Sequence, residues 1–259
     1  MDEEAGQIME NKERFTERVE TYVKYRPSYP EAAIDYLYKE AGLARESQVV
    51  DIGAGTGIFS RLLLERGTSV TAVEPNRAMR EEAERALGGY PGFRAVNGAA
   101  EQTGLPDASA DFIVSAQAFH WFDQAAAKRE FGRLLRTDGK AALIWNTRLT
   151  SGSPFLEAYE ALLQRLGTDY AMVNHRNITP EQLAAFFKPG TKREARFPNR
   201  QLFDFDGLSG RLRSSSYTPV PGDPNYEPML RDLQAIFDRY QQDGHVSFDY
   251  ETEIYWGSV

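Results

Sequence analysis

The first 47 residues carry apolar side chains at helical spacing and are broken once by prolines. This spacing predicts a helix over 15–25 with apolar side chains on one stripe, and a second helix over 31–41 that stops at Gly42. Between them, Pro27 disfavours helical geometry at the residue before it. We therefore expect an N-terminal helical segment, 1–46, that folds over whatever site the rest of the chain builds.

From residue 48 the pattern changes to short apolar strands that alternate with amphipathic helices. It predicts strands at 49–52, 69–74, 93–96, 111–117 and 141–145. Between these strands we expect helices that run through Arg66, from a cap at Asn76 to Leu87, and from a cap at Asp123 to about Arg136. Strand–helix alternation at this spacing requires right-handed crossovers and gives a parallel sheet covered on both faces.

After residue 146 the regular alternation stops. The sequence predicts helices over 153–167, after the capping signature Thr179-Pro180-Glu181-Gln182, and over 228–242, with extended segments at 193–203 and 246–256. The two late strands would complete a sheet of seven. We predict one α/β domain, Rossmann-like and doubly wound, with a mostly parallel seven-stranded sheet. Its parts are the N-terminal segment 1–46, a core at 47–146, a helical cap insertion at 147–192, and the last strands and helix at 193–259.

Composition narrows the class of protein. A formal net charge of −8 disfavours a broad nucleic-acid footprint, and no apolar stretch is long enough to span a bilayer. The chain has no cysteine, and His120, His175 and His245 lie far apart, so we expect no metal site. The opening residues are acidic and do not resemble a signal peptide. The expectation is a cytoplasmic, metal-independent protein with no membrane or nucleic-acid partner; oligomeric state has no signal here.

A glycine-rich turn, Gly53-Ala54-Gly55-Thr56-Gly57, follows the first strand and precedes a helix. Glycines here let the backbone approach a ligand closely, at the sheet edge where open α/β proteins bind ligands. A nicotinamide dinucleotide fits less well, because Ile58 occupies the position at which the G-x-G-x-x-G/A fingerprint of dinucleotide-binding proteins has a small residue. A P-loop is excluded, because no Gly-Lys-Ser/Thr follows the turn. Glu74 ends the second strand, where an acid can accept hydrogen bonds from a ribose diol. The competing interpretations are a structural turn and a surface glutamate.

Several segments together resemble the class I S-adenosylmethionine-dependent methyltransferases. Residues 49–57 resemble the first motif of that family and Val73-Glu74-Pro75 the second, while 97–101, 117–123 and 134–140 resemble the later loops. The segments 25–30 and 214–217 resemble a subgroup related to trans-aconitate methyltransferases. One departure is Arg136-Thr137-Asp138, where the family usually has a Lys-Pro-Gly type of turn.

The resemblance implies S-adenosyl-L-methionine as the cofactor and a role for each matching residue. Gly53, Ala54 and Gly55 would lie beneath the methionine part, and Asp51 would hold its amino end. Glu74 would take the ribose hydroxyls, Ala100 and Glu101 would flank the adenine, and the backbone at Gln117 would line the methionine channel.

In methyl transfer from a sulfonium the cofactor already carries the activated group, so the protein mainly positions and desolvates the acceptor. Three residues are candidates for this chemistry. His120 is a candidate base or orienting group, Arg26 a candidate carboxylate clamp, and Trp145 ends the fifth strand beside the expected pocket. The alternatives are a loop histidine that packs on Trp121 or bonds the cofactor, and a surface arginine; Trp121 and Phe122 are either walls of the site or core residues. Arg148, Arg211 and Arg213 are further arginines available as clamps.

The sequence therefore favours a methyltransferase acting on a small-molecule substrate, with a carboxylate as one acceptor that the subgroup resemblance implies. The alternatives are a methyltransferase acting on tRNA or protein, and a catalytically inactive cofactor-binding module that regulates a partner. No Asp/Asn-Pro-Pro-Tyr sequence follows the fourth strand, so methylation of nucleic-acid bases is not indicated.

Overall fold

The computed structural model describes residues 23–171 and 178–259, and the strands of this part form a seven-stranded sheet. The strands are β1 (Gln48–Ile52), β2 (Ser69–Val73), β3 (Phe93–Val96), β4 (Ala110–Ala116), β5 (Leu135–Arg148), β6 (Arg193–Phe203) and β7 (Val246–Gly257). Their order is β3-β2-β1-β4-β5-β7-β6, with β1 to β5 parallel and β7 antiparallel to both neighbours. The predicted fold class, a mostly parallel doubly wound sheet of seven strands, is confirmed.

Side-chain caps begin several of the helices in the part of the chain that the structure describes. They are α1 (Glu31–Lys39), α2 (Ile58–Leu64), α3 (Arg77–Leu87), α4 (Gln124–Leu134), α5 (Pro154–Leu166), α6 (Pro180–Phe186), α7 (Phe205–Arg213) and α8 (Tyr226–Tyr240), with a short 3₁₀ helix at Phe119–Trp121. Side chains of Asn76, Asp123 and Thr179 accept hydrogen bonds from the first-turn amides of α3, α4 and α6. Residues 15–22 of the predicted first helix lie outside the described residues.

Two elements differ from the sequence pattern. Strand β5 is much longer than the predicted 141–145, because it pairs with β4 from Leu135 and with β7 as far as Arg148. Helix α7 was not predicted. Its Asp204 cap accepts a hydrogen bond from the amide of Gly207 at 2.7 Å, but two glycines and several polar residues hide its helical pattern.

Side chains of β5 alternate between the two faces of the sheet and so divide the core. Leu143 and Trp145 pack with Phe119, Phe131 and Phe186 on one face. Ala142 and Ile144 pack on the other face with apolar side chains of α1 and α2. The sheet is therefore covered on both sides, and the carboxyl ends of β1, β4 and β5 open towards one edge.

A third apolar cluster lies under α5, α7 and α8, where they cover the outer part of the antiparallel β6–β7 pair. Its centre is Phe248 of β7, which contacts the ring of Tyr159 from α5 at 4.9 Å between centroids. Helix α6 packs instead against α4 through Phe186 and Phe131, with ring centroids 5.3 Å apart. Helices α5 and α6 thus contribute to different parts of the core.

Candidate active site

The glycine turn after β1 has a left-handed backbone conformation that residues other than glycine rarely adopt. Gly53, Gly55 and Gly57 have φ of 72°, 56° and 80°. A Cβ on Gly53 would lie 2.4 Å from the Cβ of Ala118, and one on Gly57 would lie 2.5 Å from Leu87 Cδ1. Gly53 therefore allows the loop to approach the β4 exit, while Gly57 allows α2 to pack against α3.

Asp51 supplies a buried carboxylate at the end of β1. Its Oδ2 accepts a 2.7 Å hydrogen bond from Ser60 Oγ, whereas its buried Oδ1 has no hydrogen-bond partner among the residues that the structure describes. Burial raises the pKa of Asp51 to about 7; the Ser60 bond opposes this rise and the nearby charge of Glu74 adds to it. An acceptor oxygen in a cavity wall, without a protein donor, suits a cationic ligand group.

Glu74 follows β2 and is only 8% exposed. Its Oε2 accepts from the amide of Gly55 at 2.9 Å and its Oε1 accepts from the amide of Asn76 at 2.8 Å. Burial raises its pKa, and these two backbone bonds lower it in part. Each oxygen keeps a further lone pair, so the carboxylate holds the glycine turn and still accepts two more hydrogen bonds.

The strand exits complete a cavity above the glycine turn. Its lining includes Arg26, Asp51, Gly53, Ala54, Gln117, Asn146 and Arg211. Gln117 has a φ of 61°, which a non-glycine residue adopts rarely and which marks a constrained backbone at the end of β4. Its amide donates to the carbonyl of Ile144 at 2.8 Å, fixing the exit of β4 against β5.

Residues 25–30, here called the N-terminal strap, border the same cavity. Side-chain donors hold the strap in place: Asn146 and Asn199 donate to the carbonyl of Ser28, Gln201 to that of Tyr25, and Arg26 to that of Ser214. These bonds connect the strap to β5, β6 and the end of α7. The position of Arg26 in the cavity wall follows from this attachment.

Two further predicted cofactor residues lie beside the β4–α4 connection. Ala100 is buried in the core on that face. Glu101 Oε1 accepts a 3.0 Å hydrogen bond from the amide of Asp123, the residue that caps α4. The structure thus places Glu101 where it also orders the loop after the 3₁₀ helix.

His120 and Trp145 lie together, but neither is among the residues that line the cavity. Trp145 is 3% exposed and its Nε1 donates to His120 Nδ1 at 3.4 Å. Because neighbouring side chains on a strand point to opposite faces, it is Asn146 that faces the cavity. The structure therefore brings Arg26 to the glycine turn and places the other two candidates behind the β4 exit.

Arg211, one of the further arginines available as carboxylate clamps, does line the cavity. It stands on α7, a helix that the hydrophobic pattern does not reveal. Arg148, by contrast, forms an ion pair with Glu160, and Arg213 is exposed and donates to the carbonyl of Ser209. Among the described residues, no group of three or more His, Asp or Glu side chains is placed to hold a metal ion, and no described helix is long and apolar enough to cross a bilayer.

Comparison with known proteins agrees with this geometry. Residues 50–143 match a family model described as a methyltransferase domain. An uncharacterized methyltransferase of Mycobacterium tuberculosis is 43% identical over 134 residues, which are 52% of each chain, so the match spans about half of that relative. One from Geobacillus thermodenitrificans is 32% identical over 161 residues, which cover 59% of this chain and 71% of that protein.

A solved structure extends the likeness to nearly the whole fold. A putative type II methyltransferase from Anaeromyxobacter dehalogenans superposes with a TM-score of 0.65 and 26% identity, covering 90% of this chain and 98% of that one. The matched family segment contains the glycine turn, both buried acids and the β4 exit. From the family match and these relatives, the chain belongs to the class I S-adenosylmethionine-dependent methyltransferases.

Proposed function

We propose that this chain transfers a methyl group from S-adenosyl-L-methionine to a small-molecule acceptor. The observation that carries the proposal is the buried Oδ1 of Asp51, which no described residue hydrogen-bonds, beside a glycine turn that Glu74 holds from the other side. A ligand with an ammonium group at one end and a vicinal diol further along matches these two acids. Both features occur in the methionine and ribose parts of the cofactor.

The residues present fit this cofactor as follows. Asp51 binds the amino group, the backbone of Gly53 and Ala54 lies under the methionine part, and Glu74 accepts from the ribose hydroxyls. Ala100 and Glu101 flank the adenine, and the backbone at Gln117 borders the methionine channel. The bound cofactor supplies an activated methyl group, so the chain's own work is to orient the acceptor and exclude water.

For the acceptor, we propose a carboxylic acid held by Arg26 of the N-terminal strap. A guanidinium in the cavity wall favours an anionic substrate, and a carboxylate is already ionised at neutral pH. Such an acceptor needs no general base. His120, in contact with Trp145, is the candidate base for an acceptor that carries a proton. In this proposal residues 47–146 bind the cofactor, and the flanking segments 1–46, 147–192 and 193–259 shape the acceptor site.

Replacing Glu74 with alanine is expected to weaken S-adenosylhomocysteine binding at least tenfold, about 1.4 kcal/mol, in a calorimetric titration. The loss has two sources, the ribose contact and the hold on the Gly55 amide. An analogue of S-adenosylhomocysteine without the 2′ and 3′ hydroxyls separates the two sources. The wild type should bind this analogue more weakly than S-adenosylhomocysteine, whereas Glu74→Ala should bind the two ligands with nearly equal affinity. Glu81→Ala, at an exposed acid of α3, is the control. Equal sensitivity of both proteins to the missing hydroxyls would contradict the assignment.

The catalytic proposal is tested by following radiolabelled methyl from S-adenosylmethionine into a panel of mono-, di- and tricarboxylic acids. We expect methyl ester formation from at least one acid and a loss of turnover of at least tenfold in Arg26→Met. Transfer to tRNA or protein, with none to the acids, would contradict a small-molecule acceptor. Tight cofactor binding without transfer to anything in the panel would instead support a regulatory module.

A further inference from the structure

Arg211 is a buried cation without an acidic partner in the described part of the chain. The residue is 5% exposed. Its Nε donates to the hydroxyl of Tyr250 at 3.1 Å and its Nη1 donates to Ser215 Oγ at 2.7 Å. Its guanidinium lies over the ring of Phe248, with Cζ 5.6 Å from the centroid. Neutral partners of this kind offset only part of the cost of removing a guanidinium from water.

The unbalanced charge of Arg211 lies in the wall of the cofactor cavity. A guanidinium carries five N–H donors and does not deprotonate in proteins, so Arg211 keeps both a full charge and unused donors. Arg148, whose guanidinium also lies over the ring of Phe248, is balanced by Glu160. The local excess of charge therefore belongs to Arg211, and an anion is the ligand that would balance it.

Tyr159 provides a second, independent sign of a missing ligand. Its side chain is fully buried, and its hydroxyl has no hydrogen-bond partner among the described residues. Its ring packs on Phe248, the ring that also contacts Arg211. Tyr159 is not among the residues that line the cavity, and the guanidinium of Arg148 lies 5.1 Å from its ring centroid, so this side chain lies behind Arg211. A buried hydroxyl without a partner is costly, and it becomes a useful donor when an oxygen-bearing ligand enters.

We propose that Arg211 and Tyr159 form a buried subsite that binds a carboxylate of the acceptor and determines its specificity. This inference rests on the proposed function, because it assigns the subsite to the acceptor of that reaction. Carboxylate oxygens accept from the free guanidinium N–H groups and from the Tyr159 hydroxyl, while Arg26 contacts the acceptor from the strap. The acceptor is then an acid whose anionic group is recognised from two elements, the strap and α7.

The test uses the full chain saturated with S-adenosylhomocysteine. Thermal unfolding is followed during titration with succinate, glutarate, tricarballylate and inorganic phosphate, each compared with chloride at equal ionic strength. Ligands that bind only the folded state raise its stability by an amount that grows with the logarithm of the ligand concentration divided by Kd. We expect at least one carboxylate to stabilise the wild type and Arg213→Met, an exposed position on the same helix. In Arg211→Met, saturated with S-adenosylhomocysteine at a concentration set from its own Kd, the affinity for that carboxylate should fall at least tenfold.

A second variant covers the case in which Arg211→Met fails to fold. Tyr159→Phe removes a hydroxyl that has no partner in residues 23–171 and 178–259, so its ligand-free stability should be maintained or raised while its carboxylate affinity falls. A structural role for the hydroxyl would give the opposite change in stability and overturn the proposal. So would the lack of carboxylate stabilisation in the wild type, an equal response of Arg211→Met, or a response to phosphate alone. Failure of the wild type to bind S-adenosylhomocysteine would instead overturn the proposed function.

Discussion

Replacing Gly53 with alanine is expected to remove cofactor binding, with a rise of at least a hundredfold in the Kd for S-adenosylhomocysteine, about 2.7 kcal/mol. The added Cβ would lie 2.4 Å from Ala118 Cβ and 3.3 Å from the Phe122 ring. The alanine side chain is a single methyl group and has no rotamer that would relieve this contact, so the backbone of the glycine turn or of the β4 exit must shift. Both of these backbones border the proposed methionine site. Calorimetric titration measures the loss.

The matched control is Gly104→Ala. Gly104 has a φ of 74°, close to the 72° of Gly53, but nothing lies within 4 Å of the position that its Cβ would occupy. Both variants therefore carry a similar cost for left-handed backbone, about 1–2 kcal/mol. Only Gly53→Ala adds the collision at the site. If the two variants bound S-adenosylhomocysteine equally well, the close approach of the turn to the β4 exit would not matter for the cofactor.

The affinity for S-adenosylhomocysteine is expected to rise with pH and to level off above about pH 7. The pKa of Asp51 is about 7, so below this pH its carboxyl group is mostly protonated and has lost its attraction for an ammonium group. The association constant should fall by nearly tenfold for each pH unit well below that pKa. Asp51→Asn should bind weakly at every pH, with a flat profile. Asp35→Asn, at a surface acid of α1, should keep the wild-type profile.

The same pKa shift has a consequence for stability. The folded protein binds a proton at Asp51 up to about pH 7, whereas the unfolded chain releases it near the ordinary value of 3.8. The ligand-free protein therefore loses stability through this group as the pH rises from about 4 to about 7. Denaturant unfolding at several pH values should show a smaller loss in Asp51→Asn. A pH-independent Kd for the wild type would contradict the proposed contact with the amino group.

Much of the fold follows from chemistry that is local in the sequence. Asn76, Asp123 and Thr179 precede helices that they do cap, and the short apolar runs after residue 48 do form parallel strands. Helix α7 could not be predicted in this way. Gly210 is needed there because the ring of Tyr25 lies within 2.1 Å of the position of an added Cβ, a contact between segments far apart in the chain.

The site residues also divide into those that a local sequence pattern predicts and those that depend on tertiary structure. The glycine turn with Asp51 and Glu74 is a local pattern on two successive strands, and the structure brings these residues to one sheet edge. The choice of Asn146 over Trp145 depends on which face of β5 meets the cavity, and a one-residue step reverses that face. The role of Arg211 depends on its burial and on the lack of an acidic partner, both of which are tertiary properties.

Calorimetric titration of the wild-type protein with S-adenosylhomocysteine is the most direct test of the cofactor site. We expect one binding site per chain with a Kd of about 1 μM or tighter, equivalent to about 8 kcal/mol of binding free energy. Thermal unfolding in the same buffer shows whether the protein is folded. A folded protein that gives no binding heat with millimolar ligand would contradict the claim that Asp51, Glu74 and the glycine turn form a methyltransferase cofactor site.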